Sequence, residues 1–172
     1  MTLVVLIGGA RAGKSALAVE LAGRSNAPVA YIATAEARDE EMAARIERHR
    51  AERPGAWTTI EEPVALRAVF EALDDEHAAI LDCLTLWVSN VLERGDARET
   101  VLAEAAAVAD AAAARQAPVV AVTNEVGLGI VPANELARRF RDVLGDVNRV
   151  FVARADEASF VIAGKRIRLE DP

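Results

Sequence analysis

Cysteine occurs once in the 172 residues, at Cys83, so no intramolecular disulfide can form and no cysteine pair is available to hold a metal. No apolar run approaches the roughly 20 residues needed to span a bilayer. Basic residues are outnumbered: the net charge is −7, with the acidic residues spread along the chain. That balance argues against nucleic-acid binding, which needs a concentrated basic surface. The opening "MTLVVLIGGARAGKS" has an apolar run but no basic flank, and it enters a glycine-rich loop rather than a cleavage site. The expectation from these absences is a soluble, cytoplasmic protein.

What is present suits one domain over residues 1–172, long enough to bury a proper core. Hydrophobic residues make up 52% while aromatics are only 4%, which points to small-residue packing rich in alanine. Short β-branched runs at 3–7, 29–33, 78–82, 118–124, 149–153 and 159–164 read as strands. The first four are nearly continuously apolar, as expected where both faces of a parallel sheet are covered. Between them the spacing predicts helices at about 14–24, 38–53, 84–93, 97–116 and 133–147. The terminal "GKRIRLEDP" reads as a closing edge strand and a short tail. Strands alternating with helices give an α/β class with a mostly parallel central sheet flanked by helices.

The stretch "GGARAGKS" sets Gly8, four residues, then Gly13-Lys14-Ser15 between an apolar strand and an apolar helix. In that context the pattern is a P-loop. Its glycines let successive backbone N–H groups turn toward phosphate oxygens, Lys14 supplies a mobile positive charge, and Ser15 offers a hydroxyl to Mg2+. "AAILDC" ends a strand at Asp82, where a P-loop protein needs a carboxylate for the metal. Capping of the following helix is the other use for Asp82.

Three further stretches carry candidate residues. In "VVAVTNEVGLGIVP" a strand ends in Asn124-Glu125 before a glycine loop, and ligands of open α/β sheets gather at such ends. A turn in which Asn124 bonds its own backbone fits equally well. In "ARRFRD" a solvated helix face with an Arg138–Asp142 pair is the simpler reading than a phosphate contact. In "CLTLWVSNVL" Leu84, Trp87, Val88 and Val91 recur at helical spacing and read as packing. His77 reads as a surface residue.

The second histidine, His49, lies in "RIERHRAERP" among four arginines. At about 100° per residue, Met42, Ile46, His49 and Arg53 fall within about 60° of one another, with Arg45 at the edge and Arg48 pointing elsewhere. His49 therefore shares the apolar stripe. A histidine there is either a hydrogen-bonded packing residue or a nucleophile toward phosphorus, since neutral imidazole attacks phosphorus readily. Spacing alone favours the packing residue and leaves the nucleophile open.

Taken in order, "GGARAGKS", "YIATAEARDEEMAARIERHRAERPGAW", "ILDCLTLWVSNVL" and "TNEVGLGIVPANELARRFRDVLGDVNR" resemble the bifunctional adenosylcobinamide kinase/adenosylcobinamide-phosphate guanylyltransferases of cobalamin biosynthesis. The resemblance covers nearly the whole chain. One departure is Ala12, where the family commonly has serine. The resemblance implies a RecA-like P-loop NTPase fold, a homotrimer, and two reactions at or near one nucleotide site. ATP or GTP would phosphorylate the aminopropanol hydroxyl of adenosylcobinamide, and GTP would then transfer GMP to that phosphate. It further implies that His49, in R-I-x-x-H-x-x-x-R with Arg45, Ile46 and Arg53, is the guanylylated residue. Nucleotide contacts would come from Gly8, Gly9, Ala10, Arg11, Ala12, Gly13, Lys14 and Ser15, from Ile32, Ala33 and Thr34, from Arg50, Ala51, Glu52 and Arg53, from Glu61 or Glu62, and from Asp82. Arg45, Asn124 and Glu125 are the candidates for holding the substrate. The segments "ATAEARD" and "RPGAW" would hinge the helix 38–53 so that His49 reaches the α phosphate. The competing functions are a P-loop kinase without nucleotidyl transfer and a RecA-related nucleotide switch.

Overall fold

The computed structural model describes residues 2–51 and 53–170. In chain order the elements are β1 (Leu3–Gly8), α1 (Lys14–Gly23), β2 (Val29–Ala33), α2 (Glu40–Ala51), β3 (Thr58–Glu61), α3 (Leu66–Ala72), β4 (Ala78–Asp82), α4 (Leu84–Glu93), α5 (Arg98–Ala114), β5 (Val119–Asn124), α6 (Glu135–Val152), β6 (Glu157–Ile162) and β7 (Lys165–Leu169). The strands form one sheet in the order β3-β2-β4-β5-β1-β6-β7. Every neighbouring pair is parallel except β6 with β7. This is the α/β architecture expected from the alternating pattern.

Period-two alternation divides the core between the two faces of the sheet. Leu3, Val5, Ile7, Leu81 and Ala121 pack with Leu84, Trp87 and Val88 of α4, with α5, and with Leu144, Val147 and Phe151 of α6. Val4, Leu6, Tyr31, Ile80 and Val122 pack against Ala18 and Ala22 of α1. The strands β1, β2, β4 and β5 are thus covered on both sides, which explains their nearly unbroken apolar sequences. Because they run parallel, their carboxyl ends share one edge, and the loops after Gly8, Ala33, Asp82 and Asn124 meet there. The helix α2 is the exception: none of its described residues is fully buried.

Several elements differ from the sequence expectation. "RVFVA" at 149–153 is not a strand but the last turn of α6 and its cap. Val147 and Phe151 continue the spacing begun at Val143, so burial along one helix face outweighs the β-branched composition. The short β3 and α3 fall in a stretch where no element was expected. Arg138 does not pair with Asp142; its guanidinium donates to the carbonyls of Pro132 and Ala133, while Arg141 pairs with Asp142. His77 is half-buried with Nδ1 enclosed, rather than on the surface.

Candidate active site

The loop between β1 and α1 takes its shape from backbone bonds and two glycines. Gly8 passes so close to β6 that a methyl group there would overlap the Val161 carbonyl oxygen. Gly13 has φ 100, a left-handed conformation that favours glycine. The turn between β6 and β7 braces the loop, Gly164 N donating to the Ala12 carbonyl at 2.9 Å, and Ala12 N donates to Gly9 O at 3.3 Å. No side-chain oxygen is needed at position 12, so alanine closes this loop as serine would. Gly8→Ala is expected to destabilise the protein by about 3 kcal/mol through overpacking against rigid backbone. A thermal melt lowered by roughly 6–12 °C checks it.

Lys14 is buried, and its ammonium donates to the carbonyls of Gly8 at 2.9 Å and Gly9 at 2.7 Å. Burial holds it below the usual lysine value; Cys83 and Asp82 oppose that shift, and the positive charge of Arg45 adds to it. Ser15 Oγ donates to Asp82 Oδ2 at 3.1 Å, and the Tyr31 hydroxyl donates to the same oxygen. Asp82 makes no side-chain cap on α4, whose N-cap is Cys83. A hydroxyl and a carboxylate side by side at the P-loop form a hard-oxygen pair suited to Mg2+.

Helix α2 lies across this edge. Met42, Arg45, Ile46, His49 and Arg53 line one open cleft together with Ser15, Ala33, Glu61, Asp82 and Cys83. Helical phase anticipated which side chains would face inward. His49 is half-buried, and among the described residues nothing hydrogen-bonds to its imidazole, which removes the usual reason for a packed histidine. Cys83 is no rival nucleophile there: burial first, then the Asp82 charge, pushes its thiol up to about 11.

The other expected residues divide. Gly9, Ala10 and Arg11 are exposed at the loop, and Arg11 has φ 57. Ile32 is packed in the core below the cleft. Thr34 is fully buried, its hydroxyl donating to Cys83 O and accepting from Cys83 N, both at 2.8 Å, which ties the end of β2 to that of β4. Of the two glutamates, Glu61 lines the cleft and pairs with Arg50, whereas Glu62 Oε1 accepts from the backbone of Val64 and Ala65 at the start of α3. Arg50 and Ala51 are exposed outside the cleft lining, and Glu52 lies outside the described residues. Asn124 stands opposite Gly8 in the sheet register, and Glu125 N donates to Gly8 O at 3.2 Å. The turn there is made by Glu125, which accepts from Gly127 N, not by the Asn124 carboxamide.

Some contributors carried no sequence signal. Tyr31 sits in an apolar strand and reads as core. Asn90, Thr85 and Asn148 read as incidental polar residues on helices. Asn90 Nδ2 donates to Thr34 O and Pro63 O, and its Oδ1 accepts from Arg38 in the segment leading into α2. Asn124 N donates to Thr85 Oγ1, and Asn148 bridges Thr123 and the Asn124 carbonyl. A buried asparagine beside a strand end is the available cue, because an unpaired carboxamide would be costly there.

A family model described as cobinamide kinase / cobinamide phosphate guanyltransferase matches residues 4–169. The chain belongs to that family. It is 42% identical over 161 residues to the bifunctional adenosylcobalamin biosynthesis protein CobP of Pseudomonas aeruginosa, covering 93% of this chain and 92% of that one. It is 39% identical over 181 residues to the bifunctional adenosylcobalamin biosynthesis protein CobU of Escherichia coli, covering 98% and 99%. Among solved structures, a type III secretion system ATPase superposes with TM-score 0.57 at 13% identity, over 92% of this chain and 50% of that one. The RadB recombinase superposes with TM-score 0.52 at 16% identity, over 92% and 73%. At such identities the likeness concerns the fold alone, and the fold is that of P-loop, RecA-like NTPases.

Proposed function

We infer that this chain carries out both reactions in its family's description, with ATP or GTP as phosphoryl donor and GTP as guanylyl donor. The observation that carries the reading is the single cleft in which His49, Arg45 and Arg53 of the α2 region face Ser15 and Asp82 of the P-loop edge. In the first reaction the aminopropanol hydroxyl of adenosylcobinamide attacks the γ phosphorus, and the nucleoside diphosphate leaves. In the second, an imidazole nitrogen of His49 attacks the α phosphorus of GTP and pyrophosphate leaves. A phosphate oxygen of adenosylcobinamide phosphate then attacks the same phosphorus, His49 leaves, and adenosylcobinamide-GDP forms.

The backbone N–H groups of Gly8–Ser15 and the Lys14 ammonium hold the β and γ phosphates, and Arg45 and Arg53 take the charge that accumulates near His49. Ser15 and Asp82 fit Mg2+, which would neutralise phosphate charge when bound. Asn124, Glu125 and the glycine loop face the corrinoid. Glu61 is the better placed of the two glutamates for the nucleotide. As a single cytoplasmic domain the chain works as a homotrimer, an assembly drawn from the family resemblance. The exposed Leu128, Ile130 and Val131 offer apolar area for a partner copy. Sedimentation velocity distinguishes trimer from monomer.

The test is product analysis. With adenosylcobinamide, Mg2+ and GTP, mass spectrometry is expected to show adenosylcobinamide phosphate first and adenosylcobinamide-GDP after it. Accumulation of the phosphate alone would reduce the chain to a kinase, and nucleotide hydrolysis without either product would make it a switch.

The α2 helix also moves in this reading, because attack at the α phosphorus must come from the side opposite pyrophosphate. Its lack of any fully buried described residue supports that. Amide exchange over residues 40–51 is expected to slow when GTP binds; identical exchange with and without GTP would leave the helix fixed.

A further inference from the structure

Tyr31 belongs to no phosphate loop and no helix of the cleft, yet it touches both halves of the site. Alternation along β2 turns its side chain to the α1 face of the sheet, where it is 2% exposed. Its hydroxyl donates to Asp82 Oδ2, the oxygen that also accepts from Ser15 Oγ. Two donors on one oxygen fix the carboxylate rotamer and leave Oδ1 for other partners.

The face of the same ring carries Arg53, whose guanidinium carbon lies 3.7 Å from the ring centroid. Arg53 Nη1 donates to Thr59 Oγ1 at 3.2 Å, but its Nε is buried and finds no acceptor among the described residues. The ring's negative face is therefore the main compensation for that edge of the cation. Arg53 follows His49 by four residues and lines the same cleft.

We propose that Tyr31 is a positioning residue with two separable roles: its hydroxyl orients Asp82, and its ring face, through Arg53, anchors the end of the helix that carries His49. Phenylalanine would keep the second role and lose the first. Leucine would lose both. The proposal deepens the two-reaction reading and rests on it.

The experiment compares wild type, Tyr31→Phe and Tyr31→Leu by three readouts. Mg2+ is titrated against binding of a fluorescent GTP analogue, amide exchange is followed over residues 40–51 without nucleotide, and covalent GMP transfer to the protein is timed in a single turnover. Tyr31→Phe is expected to raise the half-saturating Mg2+ by about tenfold, the usual effect of losing a bond that orients a ligand. Its exchange over 40–51 stays at the wild-type rate, and saturating Mg2+ restores GMP transfer. Tyr31→Leu is expected to show the same Mg2+ shift. In addition its α2 exchange rises at least about fivefold, and its GMP transfer stays slow at saturating Mg2+. Where Tyr31→Leu does not fold, Arg53→Met removes the stack with the tyrosine in place and must give the same faster exchange. A Tyr31→Phe titration that overlays wild type overturns the first role. Exchange over 40–51 unchanged in Tyr31→Leu or Arg53→Met overturns the second. If wild type forms no covalent GMP, the two-reaction reading fails, while the Mg2+ and exchange readouts still decide the roles of Tyr31.

Discussion

Lys14→Met is expected to lower phosphorylation and guanylylation together, each by at least about 10²-fold, the effect of removing one preorganised charge from a transferring phosphoryl group. In the proposed reading both reactions hold the triphosphate in the same loop, and the ammonium sits where Gly8 and Gly9 turn their carbonyls inward. The substitution is one atom shorter but keeps an unbranched apolar stem, so the packing around a 7% exposed residue is disturbed little. The check is steady-state kinetics of each half-reaction supplied with its own substrate. A loss confined to one of them would mean that the two reactions use separate nucleotide sites.

His49→Ala is expected to do the opposite and separate the activities. Guanylyl transfer should fall on the order of 10⁴-fold or more, as when a nucleophile that forms a covalent intermediate is removed. Phosphorylation should stay within about tenfold, a change of 1.4 kcal/mol or less in its barrier. The alanine leaves the helix intact, since His49 is half-buried in an element with no fully buried described residue. Product analysis would then show adenosylcobinamide phosphate accumulating without adenosylcobinamide-GDP. An equal loss of both activities would instead assign His49 to holding the nucleotide. Together the two substitutions separate one shared loop from one dedicated nucleophile.

Much of this site was legible in the sequence, for identifiable reasons. Glycines and a lysine between an apolar strand and helix leave few alternatives to a phosphate loop. An aspartate closing the fourth strand falls beside Ser15 because β4 and β1 end on the same edge. Helical phase placed Met42, Ile46, His49 and Arg53 together, and all four line the cleft. Phase alone could not tell a packed histidine from a reactive one, because that depends on what lies opposite. The partners of Asp82 were hidden for a similar reason. A tyrosine in "VAYIA" looks like core, and only the register of β2 against β4 brings its hydroxyl to the carboxylate.

The fold followed the same rule. Strands covered on both faces were visible as apolar runs, while the four residues of β3 and seven of α3 are too short for either period to show. The end of α6 misled because valine and phenylalanine favour strands, yet here they extend a buried helix face. Glu61 and Glu62 are adjacent and alike in sequence; the strand end turns one to the cleft and the other to the backbone of α3.

The central claim is that His49 takes GMP from GTP in the P-loop cleft. The most direct measurement is to incubate the protein with Mg2+ and GTP labelled at the α phosphate, then look for acid-labile label and locate it by peptide mapping. Label on the peptide containing His49, absent from His49→Ala and from reactions with label only at the γ phosphate, is the predicted result. Label retained in His49→Ala, or no label in the wild type, would contradict it.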